Sequence, residues 1–508
     1  MIKLEILKAM RFGERIAEEE LNDLEKYFVA TDQWNRVYSG EVDVVYGPKG
    51  SGKSAIYTLL DKKKTELFDR NILICSAENL RGSTAFSEIV SDPPPSERSF
   101  VALWKLYFLI ISASTLREYG VLNEDAKGLI AALEKADLLP VKGSLAQFFK
   151  SAKRLIWSYI SSDVESVDWT IALDPATGMP IASRKAVYRA RADKSEVEVD
   201  IPLDELISIA DTALSRSGYS LWILFDRLDV AFNDTPDLER NALRALFRMY
   251  NDFKGHDSIN LKIFVRDDIW ERISEGGFAD ASHITRTTRI EWSLEGLVNL
   301  FVRRLLNNSA VVDYLSVVPD DITSDFSKQV DTIKRILPDK VETGKNPETF
   351  KWMMNRIQDA SGKPAPRELI HLADMARQTQ ISKLERGESE PLNEILFDRS
   401  VFKSALKEVS TVRYNQTFVA ENPSLKEFSD RLRNQKAEQN VETLAKIWNC
   451  RPEEAHGYAE RMTKAGFFEK RDNDIFQSYW VPFVYRDALE LVQGKAFDDQ
   501  SSIVEDDF

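Results

Sequence analysis

Cysteine and histidine are scarce in this chain, with two cysteines and four histidines among 508 residues. Cys75 and Cys450 lie far apart in sequence, and neither has a partner at zinc-site spacing. They read as two buried thiols in a reducing compartment, not as a disulfide or metal framework. Long apolar runs are missing too. The most apolar stretch, Phe100 to Ser114, is interrupted by Lys105 and is shorter than a bilayer span. It reads as a core helix, and no membrane partner is expected. Acidic residues enter the N-terminal stretch MIKLEILKAMRFGERIAEEE too early for a secretion signal, so the cytoplasm is the expected address. An excess of positive charge is also lacking. Lys and Arg number 68 against 82 Asp and Glu, a formal net charge of -14. Phosphate backbones need positive surfaces, so general nucleic-acid coating is excluded and only a local basic patch is left open.

What is present is an ordinary globular composition, 43% apolar and 30% charged. The length exceeds what one core usually serves, so several domains are expected. Residues 14–30 carry Ile16, Leu21, Leu24, Phe28 and Val29 on one helical face. Val42 to Tyr46 and Ile72 to Cys75 read as strands, and a long helix follows from Phe100 to about Tyr119. The turn cluster Asp174 to Gly178 lies between two alternating runs within 170–190, which predicts a hairpin. Leu221-Trp222-Ile223-Leu224-Phe225 is a continuous apolar run of the kind buried on both faces of a sheet, and Leu261 to Val265 is another strand. Such strands alternating with helices predict an α/β fold, with a parallel sheet between two helical layers. Beyond about residue 292 the pattern is helical.

One motif carries specific chemistry. Gly47-Pro48-Lys49-Gly50-Ser51-Gly52-Lys53-Ser54 matches G-x-x-x-x-G-K-[ST] at every fixed position. It lies between a predicted strand and a predicted helix, the context the motif requires. Glycines let successive backbone N–H groups point into one concavity, and the helix N-terminus adds its positive dipole end. Lys53 would reach the β- and γ-phosphates of a nucleotide, and the Ser54 hydroxyl would bind Mg²⁺. Gly47 through Ala55 is therefore the candidate ATP-phosphate site. Mg²⁺ takes a further carboxylate directly or through water, and Asp226 ends the apolar strand where that residue belongs. An aspartate capping the next helix is the alternative. Hydrolysis needs a group that orients water. Arg227 follows Asp226, and Asp229 is the nearest acid; it either orients water or lies on the surface.

With these residues assembled, the chain resembles a bacterial group of P-loop ATPases with an FDRLD-type Walker B, related to AAA+ and STAND proteins of KAP-like and initiator-like kinds. The resemblance rests on Arg11-Phe12-Gly13, Ala17-Glu18-Glu19-Glu20, Tyr27-Phe28-Val29-Ala30-Thr31, Lys49 to Ala55 and Phe225-Asp226-Arg227-Leu228-Asp229. It rests also on Ile263-Phe264-Val265-Arg266-Asp267-Asp268-Ile269 and Gly362-Lys363-Pro364-Ala365-Pro366-Arg367-Glu368-Leu369. It implies an AAA+/STAND-like P-loop NTPase with an α-helical lid and a C-terminal winged helix. It also implies a sensor-1 role for Arg266 and a sensor-2 role for Arg367. Many relatives carry a glutamate where this chain has Arg227, a departure that bears on hydrolysis more than on binding. Arginine forks match phosphate geometry, so Arg286 and Arg289 are candidate fingers for a neighbouring subunit, with solvated loop arginines as the favoured reading.

The expected organisation is an N-terminal helical lead-in over 1–40, then a P-loop core over 41–290 with an insertion at about 85–215. A helical lid follows over 291–423, a winged-helix-like domain over 424–493 and an acidic tail over 494–508. In the last domain, helices Ser424 to Lys436, Thr443 to Trp448 and Pro452 to Ala465 precede two strands around Arg471 to Asp474. Glu453, Glu454 and Glu460 oppose Arg451, Arg461 and Lys464 on the candidate recognition helix, which leaves DNA contact and protein docking both open. The expected function is an Mg-ATP-dependent switch acting as a homo-oligomer or on a partner protein, with a bacterial stress or phage-defence setting implied by the family neighbourhood alone. The alternatives are an initiator-like DNA-binding ATPase and a nucleotide-stabilised scaffold with little hydrolysis.

Overall fold

The apolar runs of the first half of the chain become strands of one parallel sheet. The computed structural model describes residues 3–14, 20, 23–77, 97–135, 138–139, 167–173, 180–186, 200–226, 236–274, 278–472 and 477–497. The chain divides into two compact units, one of Thr31–Pro48 with Lys53–Ile290, the other of Met1–Ala30, Lys49–Gly52 and Glu291–Phe508.

In the first unit, β1 (Val44–Gly47) and β2 (Ile72–Ser76) come early. A hairpin of β3 (Val167–Leu173) and β4 (Pro180–Ala186) follows, with β5 (Asp200–Pro202) antiparallel to β3. The predicted hairpin is therefore present, and its turn lies outside the described residues. The chain then returns through β6 (Ser220–Phe225), β7 (Ile259–Arg266) and β8 (Thr287–Arg289). The main sheet has the order β2-β6-β7-β1-β8, every neighbouring pair parallel. Leu221 to Phe225 are all buried, as a strand covered on both faces requires. β8 was not expected: its three residues, Thr-Thr-Arg, carry no apolar run, and only pairing with β1 makes them a strand.

The helix Glu97–Glu118 packs against Pro236–Phe253 beside this sheet. Its segment Phe100–Glu118 is long and apolar enough to cross a membrane by length and composition, but Trp104, Phe108, Ile110 and Ile111 are fully buried in the core of this unit. The Trp104 indole N–H donates to the Ala242 carbonyl at 2.8 Å. A charged cluster is also buried here. The Lys262 ammonium lies 2.8 Å from Asp43 Oδ1, and Asp43 Oδ2 receives Arg286 at 2.8 Å and the Tyr250 hydroxyl at 3.0 Å.

In the second unit, helices from Leu294–Leu306 to Arg399–Arg413 share a core with the N-terminal helix Lys3–Ala9. Arg304, 5% exposed, forms a two-pronged pair with Glu20 at 2.7 and 2.8 Å and stacks on the Tyr27 ring. The predicted helix over 14–30 is corrected: among the described residues only Leu24–Tyr27 is helical, while Glu14, Glu20 and Phe28 to Ala30 are not. Glu20 is drawn to the Arg304 charge instead of to a helical face.

The C-terminal module has a separate core of Trp448, Phe467, Phe468, Tyr479 and Tyr485. Its helices are Val441–Trp448, capped by a reciprocal Asn440–Thr443 box, and Pro452–Lys464. Its sheet contains β9 (Lys436–Gln439), β10 (Glu469–Asp472), β11 (Gln477–Trp480) and β12 (Val492–Lys495) in the order β10-β11-β9-β12. The first predicted helix is corrected here. It is shorter, Lys426–Asp430, and the chain turns over 431–435 before entering β9 at Lys436. The expected tail begins inside β12, and its acidic residues lie outside the described ones. Cys75 and Cys450 are free thiols, as expected, but half-buried rather than buried.

Candidate functional site

β1 ends at Gly47, and the next helix, Lys53–Lys62, begins six residues later. The chain turns between them through Gly50 at φ 81° and Gly52 at φ 105°, conformations that a side chain would strain. The Lys53 ammonium folds back and donates to the carbonyls of Gly47 and Pro48, each at 2.8 Å. Lys53 is only 8% exposed and Ser51 2%. The Ser51 hydroxyl is buried without a hydrogen-bond partner. A buried hydroxyl without a partner just before a helix start suits an anionic ligand bearing oxygen acceptors.

Ser54 points the other way. Its hydroxyl donates to Asp226 Oδ2 at 2.7 Å. Asp226 directly follows β6, so the carboxyl edge of the sheet brings this pair together. Both are hard oxygen donors, the kind Mg²⁺ selects, and two protein oxygens suffice for an ion that keeps waters and phosphate oxygens as its other ligands. No group of three His, Cys, Asp or Glu side chains arranged for a metal occurs among the described residues. Tyr57 sits one turn into the same helix, where burial pushes its phenol up to about 12, with the nearby charges of Asp61 and Asp226 adding to the rise. Nothing in the sequence marked Tyr57 as a neighbour of this pair.

β7 separates β1 from β6, and its last residue, Arg266, is in register with Gly47. Arg266 forms a fork onto Asp268, with Nε to Oδ1 at 2.9 Å and Nη2 to Oδ2 at 3.0 Å. Arg289 pairs with Asp267 at 2.6 Å, and Arg286 with the buried Asp43. Both stay partly exposed, Arg289 within β8 and Arg286 in the bend before it, each paired with an acid. Asp229 and Arg227 lie outside the described residues.

This is a P-loop NTPase fold. Strand, glycine loop, helix and strand-end aspartate follow the order of that α/β class, and a helical region and a winged-helix-like module follow them in the chain. Ligands in open parallel sheets bind outside the carboxyl ends of the strands, where the loop Gly47–Ser54 lies. No protein-family model and no curated protein matches the chain. Among solved structures, the Aeropyrum pernix ORC2 protein in its ADPNP-ADP complexes aligns with 92% of this chain and 91% of its own, at 12% identity and a TM-score of 0.39. Its ADP form covers 90% and 88%, at 10% identity and a TM-score of 0.31. Overlaps of that quality fix neither ligand nor role.

The tip of the P-loop, Lys49–Gly52, belongs to the second unit and is gripped there at three points. The Trp292 indole N–H donates to the Ser51 carbonyl at 2.7 Å. Lys49 pairs with Glu421 at 2.7 Å. A Cβ on Gly50 would stand 3.0 Å from the Arg367 Cβ. Arg367 lies at the start of the helix Pro366–Glu385 and has no ion-pair partner among the described residues. Trp292 and Glu421 were missed by sequence reasoning, since neither falls in a motif.

Proposed function

We propose that this chain is an Mg-ATP-binding switch whose phosphate site is the loop Gly47–Ala55. The observation that carries this reading is the 2.7 Å contact of Ser54 with Asp226 at the mouth of that loop. In the proposal the backbone amides from Gly50 to Ser54 and the Lys53 ammonium hold the phosphates, with Gly47, Pro48, Lys49 and Ala55 shaping the loop. Ser54 and Asp226 hold Mg²⁺, which when bound would neutralise charge on the β- and γ-phosphate oxygens. Arg367, and Arg266 once it leaves Asp268, act as γ-phosphate sensors, since a guanidinium fork suits phosphate. Asp229 orients water. Because Arg227 stands where many relatives carry glutamate, nucleotide-dependent switching takes precedence over fast turnover.

The C-terminal module transmits the state to a homo-oligomer or a partner protein. Two glutamates of its helix Pro452–Lys464 are paired with flanking cations, Glu454 with Arg451 at 2.7 Å and Glu460 with Lys470 of β10 at 3.0 Å, and Arg461 donates to Ser424 Oγ at 3.1 Å. That pairing supports protein docking over DNA contact, for which unpaired cations are wanted. A stress or phage-defence setting rests on resemblance alone. Calorimetric titration of ATP with and without Mg²⁺, on the wild type and Lys53→Ala, tests the reading. Tight binding that needs Lys53 is expected; equal affinity in both proteins sinks it. Salt-dependent affinity for duplex DNA would instead select the initiator-like alternative.

A further inference from the structure

The first turn of the helix Pro366–Glu385 carries two charges of opposite fate. Arg367 faces no ion-pair partner among the described residues. Glu368 is 4% exposed and is held by an arginine from another helix. Its Oε1 accepts from Arg413 Nη1 at 2.7 Å, and Arg413 Nη2 reaches Asp359 at 2.7 Å. Its other oxygen, Oε2, is buried with no hydrogen-bond partner. That orphaned oxygen lies 3.5 Å from the point a Cβ on Gly50 would occupy.

Two carboxylates therefore share one guanidinium, which leaves the cluster with an excess negative charge beside Arg367. Burial works against the Arg413 charge, but Glu368, Tyr485 and Asp359 outweigh it and keep the guanidinium well above its ordinary range. A buried, half-satisfied carboxylate is costly, and a pair serving only to stiffen the fold would not keep one. Tyr485, 1% exposed, belongs to the core of the winged-helix-like module. Two further bonds run beside it, from the Ala360 N–H to the Gly466 carbonyl at 3.1 Å and from the Ala488 N–H to Ser410 Oγ at 2.9 Å.

We propose that Glu368 is a positioning residue. Anchored by Arg413, it sets the Arg367 guanidinium beside the tip of the phosphate loop and ties that setting to Tyr485 of the C-terminal module. This rests on the nucleotide reading above. It adds to that reading a defined route, Gly50 to Glu368 to Arg413 to Tyr485, by which the module would respond to the terminal phosphate.

The test measures ATP and ADP affinities of the full-length protein with Mg²⁺, for the wild type, Arg367→Ala, Glu368→Gln and the double variant. Glu368→Gln keeps the shape and removes the charge. It should lower the ATP-over-ADP preference about fivefold or more. The double variant should be no worse than Arg367→Ala alone, because the two act as one device. Tyr485→Phe, which keeps the ring, should shift the same ratio in the same direction. Strict additivity, or a fall in melting temperature with the ratio unchanged, overturns the proposal. A wild type that binds no ATP overturns the nucleotide reading itself, a result distinct from additivity in a protein that does bind.

Discussion

The Ser54 hydroxyl donates to the Asp226 carboxylate at 2.7 Å although 172 positions separate them in the chain. In the proposed function a divalent cation would sit at this contact. Asp226→Asn keeps the shape but removes the charge, and Mg²⁺ affinity in the presence of ATP should fall about tenfold or more. Metal-free nucleotide binding should change little. Titrating Mg²⁺ against a fluorescent ATP analogue checks this, and an unchanged Mg²⁺ requirement would count against the site.

Lys53 holds its charge against two loop carbonyls at 2.8 Å. Lys53→Ala removes a charge-assisted donor, and ATP affinity should drop at least about tenfold. The fold should survive, because the helix Lys53–Lys62 gains a good helix former at its first residue. Circular dichroism beside the binding assay separates the two effects.

Gly50 has a positive φ of 81°, and a Cβ there would approach the Arg367 Cβ to 3.0 Å. Gly50→Ala should destabilise the protein by about 1–3 kcal/mol, the usual cost of such strain, and weaken ATP binding with it. Denaturant unfolding followed by ATP titration reads both. Full stability in the alanine variant would show that the loop tip can rearrange freely.

Trp292 donates its indole N–H to the Ser51 carbonyl at 2.7 Å. Trp292→Phe keeps an aromatic ring and loses the donor. A cost of about 1 kcal/mol is expected, with weaker ATP binding. In the wild type, ATP should also change the Trp292 fluorescence, and that component of the signal should vanish in the variant.

Asp43, 4% exposed, faces both Lys262 and Arg286. Asp43→Asn leaves the Lys262 ammonium buried without its counter-charge, at a cost of about 3 kcal/mol or more. The midpoint of urea unfolding should fall accordingly. ATP affinity measured in the folded variant should hold, since Asp43 sits at the amino end of β1 and the phosphate loop at its carboxyl end.

Much of the first unit was legible because its signals are local. Ile72 to Cys75, Leu221 to Phe225 and Leu261 to Val265 are apolar runs bounded by turns, and all became strands. β8 and β9 were not legible. Thr287–Arg289 and Lys436–Gln439 have no apolar run and exist as strands through partners far along the chain. Among the described residues the helix expected over 14–30 is cut back to Leu24–Tyr27, for the converse reason. Its apolar spacing suits a helix, but Glu20 is claimed by the buried Arg304, and that pairing outweighs local propensity.

The sequence by itself determined the glycine loop Gly47–Ser54, because a strand, a glycine turn and a helix start need only consecutive residues with the right backbone freedom. It also placed Asp226 at a strand end. Only the tertiary structure decided which groups meet that loop: Asp226 against Ser54, Trp292 on Ser51, Arg367 beside Gly50, and Glu368 on Arg413. Those meetings depend on sheet order and helix packing, which sum weak preferences over the whole chain and leave no mark at any one position.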